Sequence, residues 1–165
     1  MFRRTVHAAA FAALLTVVAV ADETPVSAAP PSPSAPLGER FSRVTVDPTK
    51  TSIYIGNVSL AMPPFLRHGG AYTSEYKATV VPLFFYNERG RIAIEFSDEN
   101  LRRLERGEIV YFKGHAINAD GEERRVEGRA VPAGPGIEHG RIKVRVWVGK
   151  IELIFNTLYQ FSGPD

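Results

Sequence analysis

The stretch Arg141 to Phe161 reads RIKVRVWVGKIELIFNTLYQF, and in its first half Ile142, Val144, Val146 and Val148 alternate with Arg141, Lys143, Arg145 and Trp147. Side chains of an extended strand point alternately to opposite faces. This spacing therefore predicts a strand with one apolar face and one cationic face that ends in an indole. Beyond Gly149-Lys150 the apolar series continues as Ile151, Leu153, Phe155, Tyr159 and Phe161, on the opposite residue parity. Either a bulge at Gly149-Lys150 in one long bent strand or a break into two strands accommodates that slip while keeping one inward face, and the parity favours the bulge.

Working outward, the chain from Phe41 repeats the same habit of short β-rich runs cut by Gly, Pro and Asn/Asp turns. In TSIYIGNVSLAM the apolar phase slips at Gly56-Asn57, which predicts a tight turn or bulge there. Pro82 cannot donate to a ladder and belongs on an edge, after which Leu83, Phe84, Phe85 and Tyr86 are expected to be buried on both sides. Asn87 to Gly90 reads as a hairpin turn, and Ala119 to Glu122 as a second. One segment departs from the rhythm: Ser97 caps a run with acids early, Leu101 and Leu104 three apart, arginines late and Gly107 as the stop, the pattern of a short helix. The expectation is a mainly β chain, a single antiparallel β-sandwich or partly closed barrel of about seven to nine strands with one short helix.

The 165 residues leave room for about one domain. Arg3 and Arg4 precede an apolar run from Ala8 to Ala21, long enough for a signal-peptide core and short for a membrane span. We read residues 1–28 as a signal peptide, 29–40 as a Pro/Ala/Ser-rich linker, 41–161 as the β-rich domain and 162–165 as a tail. The localisation that follows is export, periplasmic or secreted, with no transmembrane segment after signal removal. Twenty Lys and Arg against 18 Asp and Glu make no case for a specific nucleic-acid partner. The absence of cysteine removes thiolate nucleophiles, Cys-ligated zinc and disulfides, so packing must hold the fold.

The sequence contains no P-loop, dinucleotide-binding glycine pattern, nucleophile elbow or EF-hand loop. His68, His115 and His139 lack metal-ligand spacing, and no metal or other cofactor is expected. No catalytic residue is assigned. The leading reading is an exported, non-catalytic domain with a binding or structural role in the cell envelope. Its candidate ligand-binding residues are Arg141, Lys143, Arg145 and Trp147, a cationic row with a stacking ring suited to an anionic glycan or another acidic envelope component. The plain alternative for that row is a solvated face paired with neighbouring acids, with Trp147 packed on an Arg stem.

Three further readings compete. Phe84, Phe85, Tyr86, Phe112, Phe155, Tyr159 and Phe161 suit a lipocalin-like barrel carrying a small apolar ligand. Glu95 and Glu127 offer a carboxylate pair for a hydrolase if they meet in a cleft. Finally, LIFNTLYQF resembles in general pattern the last strand of bacterial outer-membrane barrels, which requires an apolar exterior band.

Overall fold

The computed structural model describes residues 36–134 and 136–164. The expected leader, residues 1–28, and all but the last five residues of the expected linker lie outside them. The described chain opens with a single helical turn, α1 (Leu37–Arg40), inside the stretch expected as linker, and Leu37 packs against the core. Ten strands follow: β1 (Arg43–Val46), β2 (Thr49–Ile53), β3 (Gly56–Ala61), β4 (Phe65–His68), β5 (Ala71–Val81), β6 (Glu88–Glu95), β7 (Val110–Asn118), β8 (Glu123–Pro132), β9 (His139–Val148) and β10 (Ile151–Ser162). Helix α2 (Asp98–Glu105) joins β6 to β7.

All pairings are antiparallel and belong to one sheet that returns on itself. The chain is mainly β, as expected, and its sheet closes into an eight-strand ring with two extra strands. Around the ring run β1, β4, β5, β6, β7, β8, β9 and β10, with β10 pairing back onto β1. The extra strands β2 and β3 pair with one another, and β3 continues along β5 beyond the end of β4. Proline explains the division into pieces: Pro48 separates β1 from β2 and Pro63-Pro64 separates β3 from β4, since neither can donate to the ladder.

The parity slip in the opening stretch has a simple cause. Val148 lies directly opposite Ile151, so the two-residue connection Gly149-Lys150 is a hairpin turn and not a bulge. Gly149 has φ +58°, a conformation that a hairpin turn demands and a β-carbon resists. Partners across the hairpin share a face, hence the inward series of β9 is even-numbered and that of β10 odd-numbered. The slip near Gly56 is likewise a hairpin, turning on Tyr54-Ile55 with Ile53 opposite Gly56.

Inward side chains from every ring strand make one core, with Val44, Phe65, Tyr72, Ile92, Val110, Val126, Tyr159 and Phe161 all buried. Close approaches at glycines shape the wall. A β-carbon on Gly140 would stand 2.3 Å from the Val131 carbonyl oxygen, and one on Gly114 would stand 2.4 Å from that of Ala93. Only glycine lets adjacent backbones come so near, and the large rings opposite glycines fill the space released: Tyr159 faces Gly140 and Phe112 faces Gly128.

One end of the ring is shut. Ser97 caps α2 by accepting from the Asn100 amide at 3.2 Å, and Leu101 and Leu104 are wholly buried over the bore. Arg67 ties β4 to this lid: its guanidinium donates to the Phe96 carbonyl and to Asp98, both at 2.8 Å, and sits 5.0 Å from the Tyr72 ring centroid. At the other end lie the β2–β3, β7–β8 and β9–β10 turns and the β5–β6 connection. Here the structure corrects the sequence reading. Phe84, Phe85 and Tyr86 are not buried on both sides but form an exposed 3-10 turn on the rim, because the strand pairing of β5 ends at Val81, before Pro82. The expected turn Asn87 to Gly90 is mostly strand, with β6 already running from Glu88.

Charges occupy the outer face, among them Glu75, Lys77, Arg91, Lys113, Arg125 and Arg129, all exposed. Polar outside and apolar inside is the reverse of what a bilayer-spanning barrel presents to lipid. Phe155, 2% exposed, packs with Val58 and Val80 in the bore. Replacing it, Phe155→Ala, is expected to cost about 3–5 kcal/mol in urea unfolding.

Candidate functional site

The outer face of β8–β9 and the bore can each receive a partner. On the outer face the row Arg141, Lys143, Arg145 and Trp147 is brought together along β9 and points away from the core, flanked by β8 and β10. Its two halves differ. Arg145 pairs with Glu152 at 3.4 Å and lies opposite Glu127, while Trp147 lies opposite Arg125, whose guanidinium covers the indole at 4.9 Å. Lys143 lies opposite Arg129, a residue absent from the sequence-based set, and Arg141 opposite Val131. Among the described residues Arg129, Arg141 and Lys143 make no ion pair, and like charges directly opposite on neighbouring strands repel. A shallow depression of about 360 Å³ spans Tyr111, Glu127, Gly128, Arg129, Lys143 and Arg145, with Glu127 itself paired to Arg125. The free cations and the exposed Tyr111 ring can receive an anion there.

The bore holds two chambers. The inner one, about 90 Å³, has an apolar wall that includes Val44, Phe65, Ile92, Val144, Phe155 and Tyr159. Towards the open end a wider mouth of about 570 Å³ is lined on one side by Ile53, Val58, Val80, Val148, Ile151 and Leu153. Phe155 lines the inner chamber and packs in one cluster with Val58, Val80 and Leu153, which line the mouth. The larger volume lies within the ordinary range of about 300–1,000 Å³ for small-molecule sites, and the smaller well below it. The mouth is therefore the chamber able to admit a ligand. Of the aromatics expected in a carrier barrel, Phe112, Phe155, Tyr159 and Phe161 face the bore and Phe84, Phe85 and Tyr86 stand at its rim.

The opposite side of the mouth is polar. Glu88, inward on β6, accepts from the Tyr76 hydroxyl, from Arg124 at 2.9 Å and from Asn118 at 3.3 Å. Arg124, 12% exposed, also pairs with Glu122 at the β7–β8 turn, and Asn118 holds that turn by accepting from the amides of Asp120 and Glu122. Burial alone would raise the Glu88 pKa, but the hydrogen bonds from Tyr76, Arg124 and Asn118 and the Arg124 charge outweigh it and hold the carboxyl below its ordinary value. Burial, with the neighbouring Glu88, pushes the Tyr76 phenol up, so it stays a donor. Two buried side-chain polar atoms, Arg124 Nε and the Tyr159 hydroxyl, have no partner among the described residues, and their residues line the mouth and the inner chamber respectively. Burial raises the Tyr159 pKa to about 12.

Glu95 and Glu127, the carboxylates considered for hydrolysis, both border a hollow of about 560 Å³ on the outer face with Lys113 between them in the register, and the mouth carboxylate Glu88 is held ionised, the opposite of a general acid. No protein-family model, curated protein or solved structure matches this chain.

A group whose folded pKa is depressed stabilises the fold above its unfolded pKa, and that contribution is lost as pH falls through the folded value. Glu88→Gln is accordingly expected to cost about 1–3 kcal/mol at neutral pH. The gap to wild type should close as denaturation is repeated into the acid range where Glu88 itself protonates.

Proposed function

We propose that this chain is an exported, non-catalytic barrel that carries a small, mostly apolar ligand in the mouth of its bore, serving the cell envelope. The observation that supports this reading is the mouth itself: an open chamber of about 570 Å³ with an apolar wall, in a ring whose other end is shut by α2. Burying an apolar ligand against that wall releases water from both surfaces, at about 25 cal/mol per Å² of apolar area. Export rests on the leader pattern before Ala28. Protein recovered from an exporting host should have an intact mass beginning at Ala29, and should bind the neutral apolar dye N-phenyl-1-naphthylamine saturably at one site. Ile151→Glu, at an exposed position in the mouth wall, should weaken that binding about tenfold or more without changing thermal stability. Full-length mass, or dye binding indifferent to Ile151→Glu, would sink the respective half of the reading.

A second reading is favoured by the unpaired cations on the outer face. Arg129, Arg141 and Lys143 together suit an anionic glycan strand, with Tyr111 as the stacking ring and Trp147 already covered by Arg125. On an anionic polysaccharide column, Lys143→Ala and Arg129→Ala should elute at lower salt than wild type, and Trp147→Ala close to it. Co-elution of all four at low salt would show an ordinary wet face.

A further inference from the structure

We infer that the mouth selects amphiphiles with a cationic head, an inference that rests on the carrier reading and adds the chemistry of the ligand's polar end. The lining is divided by strand. Apolar residues come from β2, β3, β5, β9 and β10, whereas the ionisable ones come from β6, β8 and the β7–β8 turn. A ligand that satisfies both halves has a tail along Ile53, Val58 and Leu153 and a head beside Glu122.

The charge of that head follows from what the polar half leaves open. Three carboxylates, Glu88, Asp120 and Glu122, border the mouth against two guanidinium groups, Arg89 and Arg124; Lys150 sits on the adjacent turn but not in the lining. Glu88 is used on both oxygens, by Tyr76 on one and by Arg124 and Asn118 on the other. Arg124 is already shared between two carboxylates through one terminal nitrogen and its Nε is covered by protein, while Arg89 stands on the outward phase of β6, opposite Lys77. The carboxylates are in excess and keep oxygens open: Glu122 uses only Oε2, towards Arg124 and Asn118, and no hydrogen bond engages the Asp120 carboxylate among the described residues. An alkylammonium head brings three donors, no acceptor and a positive charge, and matches that vacancy in kind. A carboxylate head brings only acceptors and meets an excess of negative charge, which repels it.

Three probes with one tail separate the inference from the reading beneath it. Decylamine, decanol and decanoate, each below its micellar concentration near neutral pH and at low salt, are titrated into the protein by calorimetry. The expected order is amine, then alcohol, then carboxylate, with about tenfold or more between the extremes. The double variant Asp120→Asn, Glu122→Gln, confined to an exposed turn, should bring the amine and carboxylate affinities to within about twofold of one another. Glu122→Lys should reverse the order. Decanol binding with no preference for the amine, or with decanoate tightest, overturns the cationic-head inference and leaves the carrier reading standing. Failure of all three to bind overturns both.

Discussion

The architecture depends on how closely neighbouring backbones can approach inside the ring. An eight-strand barrel encloses a bore barely wider than the side chains that fill it, so its strands must tilt and coil strongly. At Gly114 and Gly140 the next strand's carbonyl occupies the place where a β-carbon would stand. The absence of a side chain also leaves volume on the inner face, which Tyr159 fills opposite Gly140 and Phe112 opposite Gly128. Wall curvature and core filling are thus one arrangement: small residues where the backbone bends, large rings beside them. At the open end this filling stops, and the only rings lining the mouth are those of Phe85 and Tyr86 at its rim.

Most of the wall was legible because a half-buried strand has a period of two. The inward set of β9 and β10 can be read directly from Ile142 to Phe161, and α2 from Ser97, Leu101, Leu104 and Gly107. What periodicity leaves ambiguous is the connection between two periodic runs. A bulge and a two-residue hairpin turn shift the phase by the same amount, so Gly149-Lys150 fitted both, and only the pairing of Val148 with Ile151 separates them. Closure was equally hidden, since β1 and β10 meet through a register that no local pattern encodes. Phe84 to Tyr86 misled for a different reason. Aromatic composition usually signals burial, but here the chain has left the wall at Pro82, and composition carries no information about that departure.

The candidate site divides along the same line. The cationic row of β9 was visible as alternation, and it lies on one face as alternation requires; Arg129 and Tyr111 were not visible as its neighbours because they come from other strands. The polar side of the mouth had a signal that went unused. Glu88 and Arg124 sit on the inward phase of their strands, with Ile92 and Val126 respectively, and a charge in an apolar series must find a partner or leave the core. Their pairing across β6, β7 and β8, with Tyr76 and Asn118 supplying further hydrogen bonds, is how this chain meets that requirement.

The seam between β1 and β10 sets this ring apart from its other joints. Arg43 stands opposite Ser162 and Val46 opposite Tyr159, whereas the other ring pairs join strands consecutive in the chain, except β1 and β4, which only the β2–β3 hairpin separates. Loop-closure entropy is therefore modest at each hairpin and concentrated in one long-range step. That step makes the seam the natural last event of assembly, and non-local pairing of this kind slows folding relative to local contacts. Because the ring is continuous, the seam's position belongs to the connectivity and not to the packing. A circular permutant joining the end of β10 to the start of β1 and opened at the β7–β8 turn would keep the same neighbours. It would only move the late closure from one joint of the barrel to another.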